Sequence, residues 1–213
     1  MKSTSKILRN DITGLRALAV LPVLLFHAKV PFIPGGFLGV DLFFVISGFL
    51  ITGDIIKRIE EGKFSFVSFY DRRARRILPA LLFVIIAVCL LAPFFMVPYD
   101  IKNLGQSVFA SIFAANNILL FLTSGYWSHA AEFKPLYHTW SLGVEEQYYF
   151  LVPIMLLLAY TFYRKFLSFY VVIFLVLWAS FLHSYFASNS AYNFLIIFTR
   201  AWELMVGGWS QLI

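Results

Sequence analysis

The sequence predicts an all-α integral membrane protein, a polytopic helical bundle of about six transmembrane helices, on three observations. Of its 213 residues 61% are hydrophobic and only 13% are charged, more apolar surface than one water-soluble core of this size can hide. Apolar runs of about 20 residues, the length a helix needs to cross hydrocarbon, recur between polar breaks. The net charge of +6 sits in clusters between those runs, as in cytoplasmic loops. Membrane lipids are therefore expected partners, and nucleic acid is not.

The N-terminal MKSTSKILRND leads into apolar residues as a signal peptide would. No small-residue cleavage site follows, and a second apolar run begins almost at once, so a retained signal anchor is expected. The first span covers Leu15 to Val30 and the second Phe37 to Ile56, joined into a hairpin by Pro31, Pro34, Gly35 and Gly36. Lys57, Arg58 and Lys63 follow, then the dense group Arg72, Arg73, Arg75 and Arg76, and then a third span from Ile77 to Val97. Ser107 to Leu122 is apolar but short and carries Asn116 and Asn117. Counting it as a crossing would put Arg164 and Lys165 outside, so it reads as an interfacial or re-entrant segment. The remaining spans are Thr139 to Phe162, Leu167 to Phe186 and Phe194 to Ile213. This arrangement places the N-terminus and 13 of the 17 Lys and Arg residues in the cytoplasm. The last span ends without a polar tail, so residues 1–213 read as one transmembrane domain that is incomplete at its C-terminus. No repeat with a period of 20 to 50 residues is present. The lone Cys89 allows neither a disulfide nor a thiol pair for a metal, and no metal is expected.

Charged side chains are costly at the bilayer centre, so each one inside a span is a functional candidate. Arg16 and His27 lie eleven residues apart on the first span, which returns to nearly the same helical face with a rise of about 16 Å. Pro22 between them introduces a kink. Arg16 at the cytoplasmic entrance can hold a phosphate and His27 in the outer half can act as a base; the bland alternative is a snorkelling arginine and a histidine bonded to a neighbouring helix. Arg72, Arg73, Arg75 and Arg76 pair on helical faces at spacings of three and four. They suit either a nucleotide diphosphate or anionic lipid headgroups. In HTWSLGVEEQ, a helix would align His138, Ser141 and Glu145 on one face. The adjacent Glu145 and Glu146 could orient a histidine or accept a proton, or cap a helix at the interface. Arg200 and Glu203, three residues apart, permit an ion pair within the bundle.

With those residues in view, the chain resembles the acyltransferase-3 family of membrane O-acyltransferases, the bacterial O-acetylases of lipopolysaccharide and peptidoglycan. The matching stretches are DITGLRALAVLPVLLFHA from Asp11, GGFLGVDLFFVISGFLIT from Gly35, FYDRRARRILP from Phe69, HTWSLGVEEQYYF from His138 and TRAWELMVG from Thr199. The family's arginine and histidine separated by ten residues fall on Arg16 and His27. Its arginine pair falls on Arg73 and Arg76 or on Arg72 and Arg75.

The resemblance implies an acyltransferase of the bacterial inner membrane. Its acyl donor would be a cytoplasmic acyl-CoA such as acetyl-CoA, with no permanently bound cofactor, and its acceptor a hydroxyl of a cell-surface glycan such as the O-antigen or of a lipid-linked sugar. Arg16 and the cluster from Arg72 to Arg76 would bind the donor. His27 would be the catalytic group, with Glu145 or Glu146 setting its tautomer, while His138, Ser141, Arg200 and Glu203 would bind substrate or support the structure. Family members carry about ten spans, so an inactive truncated half of such an enzyme is one alternative. A proton-coupled transporter is the other, because intramembrane His, Glu and Arg also form relays.

Overall fold

A computed structural model of the chain describes residues 10–127, 134–163 and 167–212. Its helices are α1 (Asn10–His27), α2 (Gly39–Glu60), α3 (Phe66–Phe95), α4 (Pro98–Ile112), α5 (Asn116–Trp127), α6 (Thr139–Tyr163), α7 (Leu167–Phe186), α8 (Ser190–Leu195) and α9 (Ile197–Ser210). A 3-10 turn at Gly36–Leu38 leads into α2, and no strand occurs among the described residues. The all-helical expectation holds.

Four stretches are long and apolar enough to cross a membrane: Gly36–Glu60, Phe66–Phe95, Thr139–Phe162 and Phe169–Phe186. The other two of the six expected crossings fall short. In α1, Asn10, Asp11 and Arg16 dilute an 18-residue helix, and it stops at His27 because Lys29 turns to a left-handed φ of 57°. The last expected span breaks at Ile196, whose extended backbone separates α8 from the 14-residue α9. Fourteen residues rise only about 21 Å. Thr199 secures the break by donating its hydroxyl to the Ile196 carbonyl at 2.8 Å. The third span starts earlier than Ile77: Ser65 caps α3 through the Ser68 N–H at 3.4 Å, so the arginine cluster lies within the helix. The stretch from Ser107 to Leu122 is split between α4 and α5, which meet at a bend where Ala114 has a φ of 52°. Neither half is long enough to cross. The basic residues up to Arg9, together with Arg164, Lys165 and Ile213, lie outside the described residues.

At the centre of the bundle, α2 packs against α1, α6 and α9. Its contact with α9 is backbone to backbone. A Cβ on Gly48 would lie 1.8 Å from the Leu204 carbonyl oxygen, and one on Gly207 would lie 1.9 Å from that of Val45. Phe44 and Ile55 of α2, Val144 and Val152 of α6, and Leu204 of α9 fill the core around this crossing. Tyr148 is buried among them and shares a 2.9 Å hydrogen bond with the Thr52 hydroxyl, which satisfies a polar group that would otherwise be costly there. The bend between α4 and α5 is pinned to α6 and α8: Gln147 Nε2 donates to Asn117 Oδ1 at 2.9 Å, and Asn117 Nδ2 donates to the Leu195 carbonyl at 2.9 Å. By contrast, α3 meets the bundle chiefly through α4. Its inner face and the facing sides of α1, α2 and α6 enclose a cavity.

Candidate active site

Arg73, Arg76, Ile77, Ala80, Leu81 and Val84 recur at spacings of three and four along α3. One face of that helix therefore changes from basic to apolar over a rise of about 16 Å. It forms one wall of a cavity of about 400 Å³, whose other walls are Arg16 of α1, Phe43 and Ser47 of α2, and Thr139, Leu142, Glu145 and Tyr149 of α6.

Arg16, Arg73 and Arg76 make no ion pair within 4.0 Å among the described residues. The Arg16 guanidinium lies over the Phe43 ring, 5.6 Å from its centroid, and its Nε is buried with no hydrogen-bond partner. Arg73 lies 4.3 Å over the Tyr149 ring. The neighbouring arginines are paired instead. Arg72 lies 3.4 Å from Asp54, and Arg75 lies 2.9 Å from Asp71 one helical turn away. Of the two arginine pairs left open by the sequence, Arg73 and Arg76 are the ones on the cavity.

Glu145 is buried against the same cavity. It accepts a 2.7 Å hydrogen bond from Ser47 Oγ and a 3.3 Å one from Tyr149 Oη. The α6 helix begins at Thr139, and His138 belongs to the turn before it, so the expected helical face does not include His138. Thr139, Leu142, Glu145 and Tyr149 face the cavity, while Ser141 donates its hydroxyl to the His138 carbonyl at 3.3 Å. Glu146, about 100° further round the helix, lines a neighbouring cavity of about 190 Å³. Its Oε1 is buried with no hydrogen-bond partner. Arg73 lines both cavities and stands between the two glutamates.

His27 is exposed at the C-terminal end of α1, and its ring meets that of His138 edge-on, with centroids 4.5 Å apart and planes at 75°. The hydrogen bonds of Glu145 go to Ser47 and Tyr149, and the ring that meets His27 across the bundle is that of His138. Burial lowers the His138 imidazole below its ordinary range, and the charge of His27 adds to the effect.

Arg200 forms the expected ion pair with Glu203 at 3.1 Å and also pairs with Asp41 of α2. Its guanidinium lies among the rings of Phe44, Trp140 and Phe194. This network stands apart from the arginine-lined cavity. Sequence reasoning passed over Ser47, Tyr149 and Asp41. Asp41 carried a signal, a carboxylate at the head of an apolar run, whereas a serine or a tyrosine in a span is too common to stand out. A further recess of about 430 Å³ beside α7 and α9 holds His183, bonded to Tyr192 at 3.0 Å, and no acidic side chain. No group of three or more His, Cys, Asp or Glu side chains able to hold a metal occurs among the described residues.

Unpaired cations at one end of a largely apolar cavity suit a ligand with clustered negative charge and an uncharged arm. The family model of the acyltransferase domain matches residues 9–211. An uncharacterized protein of Haemophilus influenzae is 43% identical over 125 residues, covering 59% of this chain and 51% of that protein. The peptidoglycan O-acetyltransferase OatA of Listeria monocytogenes is 38% identical over 162 residues, covering 74% of this chain and 26% of OatA. The matched part thus spans about half of one relative and about a quarter of the other. No solved structure matches.

Proposed function

This chain belongs to the acyltransferase-3 family, and from that premise we propose that it transfers an acetyl group from cytoplasmic acetyl-CoA to a hydroxyl of a cell-surface glycan or lipid-linked sugar. The observation that carries this reading is the contrast among the arginines. Arg16, Arg73 and Arg76 face one cavity without carboxylate partners, whereas Arg72, Arg75 and Arg200 are each paired. An unpaired guanidinium cluster matches the phosphates of a nucleotide donor. The N-terminus lies in the cytoplasm in this reading, and the membrane is the bacterial inner membrane, so the arginines meet the donor on its own side.

The rise of eleven residues along α1 from Arg16 to His27, about 16 Å, is of the order of the donor's pantetheine arm. The arm lies against the apolar stripe of Ile77, Ala80, Leu81 and Val84, and the thioester comes near the histidine end. His27 takes the proton of the acceptor hydroxyl as its oxygen attacks the thioester carbon. A C–O bond forms, the C–S bond breaks, and the CoA thiolate leaves, taking the proton from His27 and returning the imidazole to its neutral form. Glu145 is held by Ser47 and Tyr149 and leaves the arginines to the donor.

The test uses membranes from cells expressing the protein, incubated with acetyl-CoA radiolabelled in the acetyl group. Label should enter the glycan fraction and fall to background with His27→Ala. Undiminished transfer by that variant would overturn the role of His27. Substrate-dependent proton flux with no CoA release would favour a transporter instead.

A further inference from the structure

We propose that His138 is the positioning partner of His27, holding its imidazole in the tautomer and orientation that let it take the acceptor's proton. The proposal rests on the reading of His27 as the catalytic base. Three observations carry it.

First, the two rings touch, edge to face, with centroids 4.5 Å apart. A neutral imidazole has one N–H and one lone pair, so a hydrogen bond formed between the two rings when substrate is bound would hold His27 in a single tautomer. Catalytic hydrogen bonds commonly tighten only once substrate is bound.

Second, the two histidines differ in how firmly their backbones are held. His27 is the last residue of α1, followed at once by a turn in which Lys29 adopts a left-handed φ. Such an end does not fix a side chain by itself. The turn carrying His138 is clamped: Asn116 Nδ2 donates to the Leu136 carbonyl at 2.9 Å and to Thr139 Oγ1 at 2.8 Å, and Ser141 Oγ donates to the His138 carbonyl at 3.3 Å. The clamped turn gives His138 a fixed backbone position from which its ring can orient that of His27. This also gives buried Asn116, at the start of α5, a reason to span the gap to the turn before α6.

Third, the usual partner of a catalytic histidine is a carboxylate, and neither adjacent glutamate serves. Glu145 is bonded to Ser47 and Tyr149, and Glu146 faces another cavity. The ring beside His27 is that of His138.

The test compares His138→Phe with His138→Asn in the same membranes. Phe keeps the ring and its packing but cannot hydrogen-bond, whereas Asn keeps a donor and an acceptor. Phe is expected to lower kcat about 10- to 100-fold, the usual effect of losing an orienting partner, with KM for acetyl-CoA unchanged, and Asn to recover a substantial part of the loss. In detergent, ¹⁵N spectra of histidine-labelled protein should show the His27 tautomer populations change with Phe and stay closer to wild type with Asn. These spectra do not depend on activity. Wild-type kcat and an unchanged His27 spectrum with Phe would reduce His138 to a packing residue and overturn the proposal. Activity retained by His27→Ala would instead remove the reading on which it rests.

Discussion

Ser47 Oγ donates a 2.7 Å hydrogen bond to Glu145 Oε1, joining α2 to α6 at a buried point on the wall of the arginine cavity. The serine costs its own helix little, because its hydroxyl is small and can always find an acceptor. It gives the glutamate what a carboxyl in an apolar bundle lacks, a partner on another helix. Ser47→Ala should destabilise the protein by about 1–3 kcal/mol, the range for depriving a buried acceptor of a donor. Tyr149 would be the remaining donor to Glu145. The shift in unfolding midpoint in detergent measures the loss. A midpoint unchanged from wild type would mean that Glu145 does not depend on this bond.

The arginines of α3 should divide by the face they occupy. Arg73→Met and Arg76→Met should each raise KM for acetyl-CoA about 10- to 100-fold, equivalent to about 1.5–3 kcal/mol for a lost charge-assisted contact. Arg72→Met and Arg75→Met break ion pairs that are largely open to solvent, worth about 0.2–1 kcal/mol each. They should leave KM within about twofold. Steady-state kinetics at fixed ionic strength on all four variants makes the comparison. Equal effects from the two pairs would mean that the cluster acts as diffuse charge on a lipid surface and not as a donor site.

Much of this was legible in the sequence because the bilayer makes two kinds of residue conspicuous. Long apolar runs announce helices, and α2, α3, α6 and α7 fall where the runs do. Arg16, Arg73, Arg76 and Glu145 stood out because charge in such runs is costly, and the fold brings all four to one cavity. What the sequence could not show depends on rotation and on breaks. His138 lies in the turn before α6 and not inside it, and Leu142 lines the cavity beside Glu145 where Ser141 was expected. Glu145 and Glu146, adjacent in sequence, lie about 100° apart on the helix and line different cavities. The break at Ile196 is held by Thr199, a residue whose bonding to preceding carbonyls has no signature in hydropathy. Ser47 and Asp41 became visible only through their partners, Glu145 and Arg200, far away in the chain.

The network around Arg200 should respond unequally to loss of its members. Glu203 is 2% exposed, whereas the Asp41 side chain is 33% exposed. Arg200→Met strands a buried carboxylate and should cost about 3–5 kcal/mol, the usual penalty for breaking a buried pair from one side. Asp41→Asn keeps a hydrogen-bond acceptor beside Arg200 and should cost about 1 kcal/mol or less. The double variant Arg200→Met, Glu203→Leu removes both charges and should be more stable than Arg200→Met alone. Unfolding midpoints of the three proteins settle the order. A double variant less stable than the single would show that Glu203 has another essential partner.

His138 gives stability a dependence on pH. Because burial and His27 lower its affinity for protons in the folded state, the unfolded chain binds the proton more readily. Stability attributable to this group should therefore fall as pH drops through the ordinary histidine value of about 6.5. The loss should level off below the depressed folded value. His138→Phe lacks this titration, so its unfolding temperature should change less than that of wild type between pH 7.5 and pH 5.5. Equal changes in the two proteins would mean that the folded and unfolded states bind this proton alike.

The crossing of α2 and α9 should tolerate no side chain at its two closest points. At Gly48 an added Cβ would meet the Leu204 carbonyl oxygen at 1.8 Å, and at Gly207 that of Val45 at 1.9 Å. Both obstacles are backbone, which cannot rotate away as a side chain would. Gly48→Ala or Gly207→Ala must therefore push the helices apart, opening the core around Phe44 and Leu204 and moving the Arg200–Asp41 pair that links the same two helices. Overpacking of this kind costs about 1–3 kcal/mol even where side chains can yield, so each variant should lose at least about 3 kcal/mol. Gly105 in α4 supplies the control: a Cβ there meets nothing within 4 Å. Gly105→Ala should be neutral or stabilising by up to about 1 kcal/mol, because alanine favours a helix where space is free. Wild-type stability in Gly48→Ala would mean that the two helices cross farther apart than the 1.8 Å approach requires.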